Sequence, residues 1–197
     1  MVAIRINGEE SPISAKNMPT LASVVELVKT SIDPEHMITS IKLNGEFLSD
    51  EDWTKDLGTE TTWVLEVDTG TPEDYVRYRV KLCPKIVQNV EMTFKDSREL
   101  FQKGEMDEAN KILIVAVNDL KAFFQWYGAL VELVAGPLRS DFNIDSQMEE
   151  LTEICKRICQ QQLYQSWWAL SETLENDLEP QLSKLESFFS ALEQRIG

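Results

Sequence analysis

Histidine occurs once in this chain, at position 36, in the segment after Pro34. One imidazole cannot fill a histidine-rich zinc site, and a di-iron bundle would need two Glu-x-x-His motifs. A Ser-His-Asp arrangement would have to use His36 from a loop with no nucleophile motif beside it, so His36 is read as a surface residue. The eight glycines never gather into the clusters that a nucleotide fingerprint requires. Cysteines number three, an odd count for a disulfide framework. Cys155 and Cys159 stand at i, i+4, the spacing of a helix seam, and with Cys83 they are expected in the core of a protein from a reducing compartment. The chain lacks any apolar run of about 18 uncharged residues. The opening Met1-Val2-Ala3-Ile4-Arg5 lacks the basic-then-apolar order of an export signal, so the cytoplasm is the expected compartment. Basic clusters are missing too. The net charge is −15, with −8 in the first seventy residues and −7 in the rest, a field that repels phosphate backbones and anionic lipid. Neither nucleic acid nor membrane is an expected partner, and neither a metal nor a cofactor is expected.

What is present is an ordinary globular mixture, 43% apolar and 27% charged, enough for one compact or two small domains. Val2, Ile4 and Ile6 alternate with Ala3, Arg5 and Asn7. Asn7-Gly8 then provides a tight hairpin turn into a short strand around Glu10 to Ile13. Thr20 can cap a helix whose apolar face is Leu21, Val24, Val25, Val28 and Ile32, stopped at Asp33-Pro34. Ile41 and Leu43 alternate again, Asn44-Gly45 leads into Glu46-Phe47-Leu48, and Trp63, Leu65 and Val67 form a last strand. The expected order is ββαββ.

These residues resemble a family. The order of elements, the Ile-Lys-Leu-Asn-Gly-Glu run at 41 to 46, a short acidic turn at Asp50 to Asp56 and the closing strand are similar to the ubiquitin-like β-grasp sulfur carriers of thiamine and molybdopterin synthesis. The resemblance covers residues 1–70. It implies a β-grasp scaffold, and in that family the working residue is a C-terminal glycine that is adenylated and thiocarboxylated. Here Gly70 is single and followed by Thr71-Pro72, so no functional residue of the family carries over.

From Thr71 the period changes. Thr71-Pro72-Glu73-Asp74 signals a helix start. Val76, Val80, Cys83, Val87, Val90, Phe94 and Phe101 then fall on four-three steps, interrupted by Ser97, with Pro84 expected to kink the helix and Gly104 to cap it. A second helix from about Asp107 carries Ala109, Leu113, Ala116, Leu120, Phe123, Tyr127, Leu130 and Val134, widened by Val117, Phe124 and Val131, and reads as the central helix, ended by Gly136-Pro137. Ser146 with Glu149 has capping-box spacing for a third helix bearing Met148, Leu151, Cys155 and Ile158. Gln160-Gln161-Gln162 interrupts its face, and Leu163, Trp167, Leu170 and Leu174 resume out of phase. Pro180 kinks or breaks the chain before Leu182, Leu185, Phe188, Leu192 and Ile196. The expected architecture is α+β: a β-grasp unit over 1–70, then an antiparallel bundle of three to four long helices over 71–197.

Carboxylates are plentiful, as in Glu149-Glu150, Glu172 with Glu175 and Asp107-Glu108, but they sit on polar helix faces or at helix starts, where the dipole favours them. The aromatic run Phe123-Phe124-Gln125-Trp126-Tyr127 covers more than one helical face, and by position Trp126 faces away from the main seam; Trp167-Trp168 makes the same demand. Such rings either dock within the protein or anchor a partner, and the acidic rim would select a basic or amphipathic helix. Trp126, Trp167 and Trp168 are therefore the candidate partner-binding residues, with no catalytic residue assigned. The expected function is a non-enzymatic binding, adapter or scaffold module. The alternatives are an accessory protein of sulfur-carrier or conjugation chemistry and a secretion or assembly chaperone that holds a partner's helix.

Overall fold

A computed structural model describes residues 2–15, 18–48, 50–54, 63–134 and 136–196. The chain forms two compact units, Met1–Tyr75 and Val76–Gly197, the division falling inside the first helix after the sheet. The fold class is α+β, a five-stranded mixed sheet followed by long helices.

Strands β1 (Val2–Ile6), β2 (Glu9–Glu10), β3 (Met37–Leu43), β4 (Glu46–Phe47) and β5 (Trp63–Gly70) lie in the order β2-β1-β5-β3-β4. Three strands follow the helix, so the expected ββαββ is corrected to ββαβββ. β5 lies between β1 and β3, antiparallel to β3 and parallel to β1, and β4 is left as a two-residue edge. The strand expected to reach Ile13 stops at Glu10. Both Asn-Gly pairs turn as their composition requires, with positive φ at Asn7, Gly8, Asn44 and Gly45. Their side chains also pin the central strand. Asn7 Oδ1 accepts from the Thr69 amide at 2.7 Å, and Asn44 Oδ1 accepts from the Val64 amide at 2.9 Å. Helix α1 (Leu21–Lys29), capped by Thr20, buries Leu21, Val24, Val25 and Val28 against Ile4, Leu43, Leu65 and Val67. A 3₁₀ turn spans Asp50–Thr54, and residues 55 and 56 of the expected acidic turn lie outside the described residues.

After the sheet the expected single helix through Pro84 is two. Helix α2 (Pro72–Val80) ends at a turn over Lys81-Leu82, and α3 (Cys83–Lys103) begins with Pro84 in its first turn. The proline starts a helix because its missing N–H falls where no intrahelical acceptor is needed. Gly104, at φ +84°, closes α3, with the Gly104 and Glu105 amides donating to Phe101 and Leu100. Helix α4 (Met106–Glu132) returns antiparallel, close enough that Ser97 Oγ donates to the buried Ala109 carbonyl at 2.9 Å. The polar interruption is thus a satisfied contact between two helices.

Helix α5 (Asp145–Leu163) starts one residue before Ser146. The expected capping box is not used: Asn143 Oδ1 accepts from the Asp145 amide instead. After α5 the chain breaks at Tyr164–Ser166, with Gln165 at φ +53°, and does not continue out of phase, leaving Leu163 exposed. Helix α6 (Trp167–Thr173), a π-turn (Leu174–Leu178) and α7 (Glu179–Ile196) then run without interruption. Pro180 does not break the chain; it follows a wider turn in which the Glu179 amide donates to Leu174. The extra residue of that turn keeps Leu170, Leu174, Leu178 and Leu182 on one buried face. Within α7, Leu182, Leu185 and Leu192 are buried as expected, and the ring buried between Leu185 and Leu192 is Phe189, where Phe188 was expected.

Cross-helix pairs fix the directions. Arg98–Glu179 and Glu91–Ser183 set α3 antiparallel to α7, while Gln161–Thr173 and Arg157–Asp177 do the same for α5 against the chain from α6 onward. The central helix is α3, packed closely along both α4 and α7, and not α4 as its wide apolar stripe suggested. Ser97 and Ala109 let α3 and α4 approach on one side, and it is the packing of α7 along the other side of α3 that makes α3 the central helix.

Candidate functional site

Chemistry-bearing side chains are dispersed. His36 is exposed in the turn before β3, and among the described residues no group of three or more histidine, cysteine or carboxylate side chains is placed to hold a metal. Cys83 is buried, which pushes its thiol up to about 12. Cys155, half-buried, is pushed to about 11 by burial and by the neighbouring Cys159, which is itself exposed rather than in the core as its seam spacing suggested. Thiolate is the reactive form, so these environments rank the thiols. One equivalent of an aromatic disulfide reagent should react promptly per native chain, at Cys159, with Cys155 slower and Cys83 silent until denaturant is added. Peptide mapping of the labelled chain checks the order, and prompt labelling of Cys83 would contradict its enclosure.

The four rings of the run at 123–127 distribute over three surfaces. Phe123 and Tyr127 are buried with Phe189, which meets Tyr127 edge-on at 5.0 Å and Phe123 at 5.5 Å. Tyr127 Oη donates to the Phe142 carbonyl at 2.8 Å, and burial raises its pKa. Phe124 stands on a groove of about 430 Å³ between α4 and α5, with Leu120, Met148, Leu151 and Cys155 along it. Trp126 is half-buried and borders a shallower recess of about 350 Å³ beside Ile86, Val90 and Thr93 of α3.

The tryptophan pair separates. Trp167 stacks on Phe101, centroids 5.4 Å apart and planes within 15°. Trp168 is 78% exposed, and it shares the corner between α5 and α6 with Leu163 and Tyr164, 77% and 76% exposed. Trp126 does not join them. The corner lies level with Asn110, which accepts from Gln162, and Trp126 stands about 24 Å further along α4 at 1.5 Å per residue. Trp126, Trp167 and Trp168 therefore form no single surface. The apolar corner draws on Leu163 and Tyr164, which sequence reasoning missed because Leu163 fits the seam spacing and nothing local announces that the helix ends there.

Charges of the bundle converge on α3. Glu91, 6% exposed, accepts from Lys95 at 2.7 Å and from Ser183 Oγ at 3.1 Å. The Lys95 ammonium is held more basic than usual by that bond. Arg98 donates through Nε to Glu179 at 2.7 Å, with Glu175 at 3.7 Å. Burial opposes the Arg98 charge, and the carboxylates more than offset it, raising its pKa. Each member is partnered within the bundle, so the ladder sets the register of α7 on α3.

No described helix is long and apolar enough to cross a membrane. No protein-family model, no curated protein and no solved structure matches the chain.

Proposed function

We propose that this protein is a non-enzymatic binding module, an adapter or scaffold of the cytoplasm, that engages another protein through the helical bundle. One observation carries the reading: three large apolar side chains, Leu163, Tyr164 and Trp168, stand more than three-quarters exposed within a single corner. Scattered exposed apolar residues are ordinary, but a cluster containing tryptophan and tyrosine has the composition of an interface anchor. The first unit is read as a β-grasp scaffold, supported by the strand order β2-β1-β5-β3-β4 with β1 and β5 parallel. Sulfur-carrier chemistry finds no support at Gly70. That residue is buried at the end of β5, paired with Met37, and the next amide, of Thr71, donates to Asp74 Oδ2 at 3.1 Å.

Affinity capture with the full chain from its native cell, identification of the bound protein and reconstitution of the purified pair test the proposal. The expected result is a complex of fixed stoichiometry in sedimentation. A chain that forms no such complex, or that turns over a substrate in the same extract, would remove the binding reading.

A further inference from the structure

We infer that the corner between α5 and α6 docks a short amphipathic segment whose apolar anchor is flanked by lysine or arginine. This rests on the binding reading above and names the partner's chemistry. The corner is built on a fixed base. The Ser166 amide donates to the Gln161 carbonyl at 2.8 Å, the Gln165 amide to Gln162 at 3.1 Å, Gln162 reaches across to Asn110 at 2.7 Å, and Trp167 stacks beneath on Phe101. Leu163, Tyr164 and Trp168 are thus held outward by a backbone that is already ordered, which lowers the entropy lost when a ligand settles on them.

The sign of the rim selects the occupant. At this end of the bundle Lys103 is paired with Glu99 at 3.6 Å and Lys111 with Glu108 at 2.9 Å. Glu105 and Asp107, at the start of α4, and Glu172, one turn beyond Trp168, then leave the surroundings acidic. A second copy of this chain, meeting the corner about a two-fold axis, would bring two rims of the same sign together. An anionic bilayer would be repelled for the same reason, although tryptophan and tyrosine suit a membrane interface. A basic amphipathic segment satisfies both the apolar platform and the carboxylates around it.

The probe is a labelled amphipathic peptide of about 18 residues, lysine on its polar face, read by anisotropy against the full chain, beside an isostere in which glutamate replaces each lysine. The lysine peptide should bind, its affinity should fall with added salt, and the glutamate isostere should bind tenfold or more weakly, roughly the scale of rim-charge discrimination. The double variant Leu163→Ala, Trp168→Ala should lose roughly tenfold or more in affinity with its thermal midpoint unchanged. Should that variant misfold, Tyr164→Ser gives the same readout.

Absence of binding, equal binding by the folded variant, or preference for the glutamate peptide overturns the inference. So does corner-dependent dimerisation in sedimentation or corner-dependent flotation with phosphatidylcholine vesicles. A native partner captured equally by wild type and variant would leave the binding reading standing and remove the corner from it. A chain that captures no partner would remove the reading itself, whatever the peptide does.

Discussion

Phe189→Ala should cost the bundle about 3 to 5 kcal/mol, the scale of emptying a fully enclosed aromatic site. The ring is fully buried and touches three others, Phe123, Tyr127 and Phe188, at centroid separations of 5.5, 5.0 and 5.4 Å. Removing it takes away the transfer free energy of the ring and leaves a cavity that the neighbouring aromatics, held by the Tyr127 hydrogen bond to Phe142, are poorly placed to fill. Urea denaturation followed by far-ultraviolet dichroism measures it, the midpoint falling with the slope unchanged. Phe188→Ala, at a half-buried position, is the control and should cost markedly less. Equal losses at 188 and 189 would mean that the phase of α7 is not the one described.

The second large effect is expected at Arg98. Its side chain is 15% exposed and that of Glu179 11%, with 2.7 Å between Nε and Oε1. Arg98→Met keeps much of the aliphatic stem but strands a nearly enclosed carboxylate, a situation that costs about 3 to 5 kcal/mol when burial is complete. Partial access of water to Arg98 lowers the expectation to roughly 2 to 3 kcal/mol. The double variant Arg98→Met, Glu179→Leu should recover most of that loss, because a charge pair replaced by apolar groups leaves nothing unsatisfied. Unfolding free energies of the wild type, both single variants and the double variant decide the matter. A double variant as unstable as the sum of its parents would show that the pair is not coupled.

The same ladder illustrates what local sequence conceals. Arg98, Glu175 and Glu179 read as ordinary charges on polar helix faces, and only the antiparallel return of α7 along α3 brings them together. Ser97 looked like a flaw in an apolar seam, and it proves to be the place where two helices approach closely enough for a hydroxyl to reach the opposite carbonyl. Pro84 and Pro180 were both expected to distort helices. One begins a helix, and the other follows a π-turn without breaking the chain, since the effect of a proline depends on whether its missing donor and bulky ring have already been accommodated.

The exposed corner was half legible. Too many rings in too few positions meant that some tryptophan had to leave the seam, and Trp168 did. Trp167 went the other way, onto Phe101, a partner more than sixty positions away whose proximity no periodicity encodes.

Local signals by themselves determined the α+β order, the two Asn-Gly hairpin turns, the Thr20 cap, the Gly104 stop and the buried stripes of α1, α3 and α4. These depend on backbone energetics and side-chain spacing within a few residues. Tertiary structure alone decided that β5 lies between β1 and β3, that α3 rather than α4 is central, that the helix ends at Leu163, and that Phe189 rather than Phe188 is the buried ring of α7. Each of those outcomes follows from which distant surfaces pack together most closely, and packing between distant segments has no period along the chain.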